Sequence, residues 1–433
     1  MPAKSPAKSK EVILSVSEFG LSRLIDSVLA FMLIWLLPLE FLGMVEVVQA
    51  LIAPLLFAFL SAEPLLYRHF SEWKTESIES FQTRVAALRL FCWIKGLGGL
   101  VFSVLITLVW PSQSHTATFY ALIWAFSRTL GPQVIAVDRE FMRLDGRFGS
   151  ALMINLGQKL ILIVGLLLAT HQQGSSILPV LAGAGALSVV ASAILSRFLN
   201  HKIRFHGGYQ KTAKQTLRAI FKEFTIWNHF NYVLSIWTQT LDMFWLGVLH
   251  VPLRAAGIYS AALKVANFSF ALPLAVSTFF SVRLSRAAPD APERRDWRRV
   301  GRPTLALGGV AILQAAAVMA AAQLLAFLFS RGRWAPDEIS DFVKYLRWIE
   351  CGTAVYCFSF FAVSWINICA SVRDFFWRVM APWTLGSGLV YLLAYLNYGM
   401  FGLAVANLPV YFGFLALLAA FLYSLPNKPV NHA

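Results

Sequence analysis

Arg128, Lys159 and Lys95 fall on three consecutive apolar stretches of a 433-residue sequence, the first two close to the middle of theirs. An ionisable group near the centre of a membrane-spanning helix costs about 2.5 to 3.5 kcal/mol on insertion, so it defaults to a functional candidate facing a cavity. If they converge, these cations make an anion site within the membrane. Arg presents a planar fork suited to diphosphate oxygens, and Lys a mobile point charge. The competing reading pairs them with Asp26 or Asp138 to lock helices together; the two readings weigh evenly for Arg128 and Lys159. Lys95 ranks lower because its stem could snorkel.

Other charges and polar groups join this set. Asp26 follows Arg23 by three residues on one helical face, the spacing of a local ion pair. Asp242 has no basic neighbour in its own stretch, so its partner must come from another helix or from a coupling cation, H+ or Na+. Lys264 and Glu350 sit toward the outer ends of theirs. Asn228, His229, Asn231, Thr238, Gln239 and Thr240 could hydrogen-bond a sugar, although glue between helices is the commoner use of such groups. Cys92, Cys351, Cys357 and Cys369 lack metal-site spacing and read as core thiols. No GxxxxGK[ST] loop, Ser/His/Asp set or His/Glu metal cluster stands out, so no catalytic residue, metal or cofactor is expected.

The elements holding these residues must be membrane helices. The chain is 58% hydrophobic and 14% charged, with a mean hydropathy of +0.63, whereas soluble domains carry roughly 25% charged residues. Twelve stretches are long enough to cross a bilayer: 14–37, 44–66, 86–110, 117–138, 149–169, 176–197, 228–249, 257–281, 303–330, 342–369, 375–397 and 401–424. All should be helical, because an open sheet edge in lipid leaves backbone groups unpaired. The fold class expected is an all-α membrane protein of twelve transmembrane helices in two parallel-repeat six-helix bundles around a central cavity.

A net charge of +15 would suggest nucleic acid in a soluble protein, but the Lys and Arg residues lie in alternate loops. They cluster before the first span and after the second, fourth, sixth and eighth, while the other loops hold little beyond Glu40, His115, His171, Arg254, Arg331 and Arg333. That alternation places both termini in the cytoplasm and argues against a nucleic-acid partner. The N-terminus lacks a cleavage site and reads as an uncleaved lead-in over 1–13. A first bundle over 14–199 and a second over 227–424 follow, joined by a cytoplasmic linker over 200–226 and followed by a tail over 425–433. Within the linker, Thr212 to Phe221 is expected to lie on the membrane surface as a basic helix. The basic run Ala287 to Arg302 reads as a solvated loop.

One turn occurs twice. Pro38-Leu39-Glu40-Phe41-Leu42-Gly43 and Pro252-Leu253-Arg254-Ala255-Ala256-Gly257 share the same Pro-to-Gly offset, and both fall on the outer side, so the repeats run parallel. A structural role is expected, with Pro starting the corner and Gly opening the next helix.

The segment Leu241-Asp242-Met243-Phe244-Trp245-Leu246-Gly247, followed by Ala256-Gly257-Ile258-Tyr259-Ser260-Ala261-Ala262-Leu263-Lys264, resembles the start of the second half of polysaccharide flippases. These belong to the multidrug/oligosaccharidyl-lipid/polysaccharide exporter superfamily. The turn beginning Leu37-Pro38 is similar to that family's Gly-Pro-x-x-[Phe/Tyr]-Gly pattern, with Leu37 in place of the Gly. The resemblance implies alternating access that carries an undecaprenyl-diphosphate-linked oligosaccharide to the periplasmic leaflet of a bacterial inner membrane, for O-antigen, capsule or exopolysaccharide assembly. Its partners would be membrane lipids, the lipid-linked substrate and a polysaccharide polymerase. Asp242 and Lys264 match positions of the family's pattern. Two alternatives stand beside it: an ion-coupled multidrug exporter centred on Asp242 and Glu350, and a membrane enzyme of glycan assembly, which the sparse outer loops disfavour.

Overall fold

The computed structural model describes residues 6–59, 61, 63–75, 78–109, 115–129, 131–172, 176–200, 226–288, 291, 294 and 296–425. Among them the secondary structure is helical, without strands. Most of the linker expected over 200–226, including its surface helix, lies outside the described residues, as does most of the tail.

Each of the twelve expected spans falls on helix, but several are interrupted. Ser17–Leu36, Phe148–Ala169, Ile177–Leu199, Leu253–Arg286, Trp297–Ser330 and Val372–Ser424 are long and apolar enough to cross a membrane. Pro336–Cys357 and Phe360–Cys369 are long and apolar enough only when taken together, across a bend of 42°. The second span is a helix over Leu39–Ile52, a tight 3-10 turn over Ala53–Ala58 and a helix over Glu63–Thr75. The seventh divides into Ile226–Thr238 and Leu241–Val248. The last two spans share one helical stretch, Ala381–Ser424, which reverses at Gly399 (φ 60, ψ −146), a backbone conformation that a side chain disfavours.

The repeated turn explains how the halves meet. Pro38 (φ −58, ψ 146) and Pro252 (φ −51, ψ 129) each precede a 14-residue helix, Leu39–Ile52 and Leu253–Ala266. These two helices cross at their glycines. A Cβ added to Gly43 would lie 2.0 Å from the Leu253 carbonyl oxygen, and one added to Gly257 would lie 2.1 Å from that of Leu39. The glycines thus do more than open a helix, since they let two backbones touch, as small residues do at membrane helix crossings.

A large core surrounds this crossing and takes Leu33, Leu42 and Trp124 from one half and Tyr259, Leu346 and Phe414 from the other. At the opposite end, rich in arginine, a second core of Phe19, Trp73, Phe141 and Phe148 reaches Ala275 and Val282 of the second half. We refer to these as the turn end and the basic end. Large apolar side chains such as Leu97, Ile194, Leu313 and Leu385 point outward, as lipid-facing helices require.

Candidate functional site

A cavity of about 360 Å³ opens between the halves, and its two walls differ in chemistry. The first half contributes Arg23, Glu63, Tyr67, Arg139, Glu140 and Arg143, most of them ionisable. The second half contributes amides and hydroxyls, with Asn228, Asn231, Ser235, Ser277, Ser364 and Asn367 among them. Tyr232, Tyr356 and Phe414 add aromatic faces.

The charged wall is ordered by shared hydrogen bonds. The Glu140 carboxylate accepts from Arg139 Nε at 2.9 Å and Arg143 Nη1 at 2.8 Å, and it also accepts from the Tyr67 hydroxyl. Arg143 turns its remaining edge to the buried Glu18, donating through Nη2 at 2.8 Å and Nε at 3.1 Å. Asn155 supports Glu18 at 3.3 Å and Ser22 at 3.1 Å. This bidentate, doubly supported geometry fixes Arg143 as part of the wall's frame. Arg23 is held less tightly. Among the described residues its carboxylate contact is Asp26 at 3.6 Å, beyond hydrogen-bond reach, and its side chain is 40% exposed. Arg139 likewise retains donors: of the five a guanidinium carries, Nε is spent on Glu140 and Nη1 reaches Asn155 Oδ1 at 3.5 Å.

The neutral wall holds unspent groups as well. Asn231 donates through Nδ2 to the Val372 carbonyl at 2.9 Å, leaving its Oδ1 without a partner among the described residues. The Nδ2 of Asn228 is in the same position. Both residues are at least 95% buried, and a buried polar atom without a partner is costly unless something else supplies one.

Of the residues singled out from sequence, Arg23, Asn228 and Asn231 line the cavity. Gln239 supports its wall, donating to the Tyr356 hydroxyl at 3.1 Å and to Ser235 at 3.3 Å. The cations Arg128 and Lys264 do converge, but on an acid: Glu46 accepts from Arg128 Nη1 at 2.9 Å and sits 2.8 Å from Lys264 Nζ. This cluster joins the two halves beside the glycine crossing and carries one more cation than anion. Lys159 lies 2.5 Å from Asp26, the helix-locking arrangement, and Asp26 is thereby shared with Arg23. Lys95 is buried. Asp138, the other acid considered, instead takes Arg89, Ser196 and Asn200.

Asp242 has neutral partners instead of a basic one. It accepts from the Tyr259 hydroxyl and from the Met243 amide, each at 2.8 Å, and Asn407 links Tyr259 to Tyr391. Glu350 accepts from Ser269, and its Oε2 has no partner among the described residues.

The sequence reading passed over Glu46, Glu18, Arg139, Glu140 and Arg143. Glu46 and Glu18 met the criterion that selected Arg128, an ionisable group within a span. Arg139 and Arg143 have, from sequence, only the generic role of marking topology, although Glu140 and Arg143 have ion-pair spacing.

Two helical halves thus enclose a polar cavity, with large apolar side chains on the outside. No family model matches the sequence, and no curated protein matches it. Solved structures do. A multidrug resistance MATE family transporter of the MOP superfamily aligns with a TM-score of 0.64 at 14% identity, covering 96% of this chain and 95% of that one. A eukaryotic MATE transporter gives 0.60 at 15% identity, with 98% and 97% covered. The lipid II flippase MurJ gives 0.57 at 13% identity, with 96% and 88% covered. The chain therefore has the fold that these transporters and this flippase share, along its whole described length.

Proposed function

We propose that the protein is a flippase for an undecaprenyl-diphosphate-linked oligosaccharide, working at a bacterial inner membrane with both termini in the cytoplasm. The observation that carries this reading is the division of the cavity: one wall has three guanidinium groups against two carboxylates, Glu63 and Glu140, and so an excess of positive charge, while the other has amides, hydroxyls and aromatic rings. A diphosphate joined to a glycan has the matching division. Arg23 and Arg139 would take phosphate oxygens, while Asn228 and Asn231 would take sugar hydroxyls and Tyr232 or Tyr356 would stack on a ring. The lipid tail would stay in the bilayer. Neutralising the phosphate charge lowers the largest barrier to passage, since an isolated ion in hydrocarbon costs tens of kcal/mol.

Alternating access would rock the halves by breaking ties at one end at a time. At the turn end these are the glycine crossing and Arg254, which bridges Glu40 at 3.0 Å and Glu338 at 2.5 Å. At the basic end Arg286 donates to the Leu144 carbonyl at 2.8 Å, and Arg294 to Ser71 at 3.2 Å. Arg128 and Lys264, two cations held by the one carboxylate of Glu46, would serve as a second phosphate station beyond the cavity. The bundle boundaries at 14–199 and 227–424 and a polymerase as the consumer of the product belong to the same proposal.

Arg23→Gln and Arg139→Gln should each lower surface polysaccharide by roughly tenfold, the loss of one charge-assisted hydrogen bond, with protein level in the membrane unchanged. Normal polysaccharide in both variants would overturn the reading. Ion-coupled drug export is the second reading, favoured by two buried acids in the second half, Asp242 and Glu350, whose partners are uncharged. A deletion strain with altered drug susceptibility and intact polysaccharide would decide for it.

A further inference from the structure

Away from the cavity, at the turn end, an apolar groove of about 580 Å³ runs between the first helix and the Gly301–Ser330 helix. Phe31, Met32 and Trp35 form one side, and Phe327 and Leu328 the other. The groove opens outward: Trp35 is 45% exposed and Phe327 72%.

Two arginines stand at its Trp35 end, Arg331 lining the groove and Arg333 bound to the Trp35 backbone beside it. Arg331 follows the last residue of the Gly301–Ser330 helix in the left-handed region (φ 49), uncommon for a side chain of its size, and Gly332 continues it (φ 71). This hook sets the Arg331 guanidinium 4.8 Å from the centre of the Trp35 ring. Arg333 donates through Nη2 to the Trp35 carbonyl at 2.7 Å. Neither arginine pairs with a carboxylate among the described residues, whereas Arg254 at the same end holds two. Capping the end of the first helix accounts for one donor of Arg333, and stacking on Trp35 for one face of Arg331. The remaining donors of both have no partner among the described residues.

We infer that this groove binds an anionic phospholipid, with its phosphate on Arg331 and Arg333 and an acyl chain between Phe31 and Phe327. The inference is independent of which substrate passes through the cavity. A lipid-linked glycan fits less well, because no Ser, Thr, Asn or Gln lines the groove to receive sugar hydroxyls. The groove is also bounded by helices from both halves, so its occupant bears on how far they part at this end.

The test is lipid retention by the full-length protein in nanodiscs of phosphatidylcholine mixed with phosphatidylglycerol, read by native mass spectrometry. Wild-type protein should retain phosphatidylglycerol in preference to phosphatidylcholine, by roughly tenfold for two basic groups near one phosphate. The double variant Arg331→Gln/Arg333→Gln should lose that preference. Arg331→Lys/Arg333→Lys should keep most of it, as should Lys344→Gln, which removes an exposed charge from the same end. Equal retention of the two lipids by wild type overturns the proposal even if the Gln variant fails to fold. A preference that survives in the Gln variant, or displacement of phosphatidylglycerol by equimolar undecaprenyl phosphate, overturns it as well.

Discussion

Glu46 is the residue on which the two halves share charge. It lies between Arg128 and Lys264, with side-chain exposures of 14, 20 and 8%. Removing one partner from a buried ion cluster leaves uncompensated charge and costs about 3 to 5 kcal/mol. Glu46→Gln should therefore lower thermal stability markedly, and adding Lys264→Gln should restore part of the loss. A single variant as stable as wild type would show that Glu46 does not neutralise the pair. The cations of this cluster were legible in the sequence because each is expensive in an apolar helix. Glu46 meets the same criterion, but that it is their partner was not legible, since pairing depends on helix phase, and a one-residue change of phase rotates a side chain by about 100°. The same limit applies to the cavity: Arg139 and Arg143 lie just past a span, where sequence gives them the generic role of marking topology.

At the scale of elements, the Pro38 and Pro252 turns were legible as a repeat, and their parallel placement followed from charge alternation. What the glycines do was not legible, because it depends on two segments more than 200 residues apart meeting backbone to backbone. Gly43→Ala would force a methyl group against the Leu253 carbonyl at 2.0 Å and should part the helices, with a loss of about 1 to 3 kcal/mol in stability. Gly20→Ala is the contrast, for a Cβ there meets nothing within 4 Å and removes a helix-interior glycine. It should be neutral or raise stability by up to about 1 kcal/mol. Unfolding of both variants in one detergent checks the pair, and equal effects would remove the crossing from the account. The interruptions at Thr238–Leu241 and Ala53–Ala58 do carry signals in the sequence, the polar run Thr238-Gln239-Thr240 and Pro54, but neither signal fixes where the next helix begins.

At the scale of the molecule, the two halves share the proline-led helix and the glycine crossing but present different walls to the cavity. The first half supplies ionisable groups and the second supplies neutral hydrogen-bonding groups, and the proposed function rests on that division. It is most directly tested by binding of an undecaprenyl-diphosphate-linked oligosaccharide to the purified protein, with a cationic drug as competitor. The account predicts that the glycolipid binds, that Arg23→Gln and Arg139→Gln each weaken it roughly tenfold, and that the drug does not compete. Unchanged glycolipid binding in both variants, together with displacement by the drug, would contradict it.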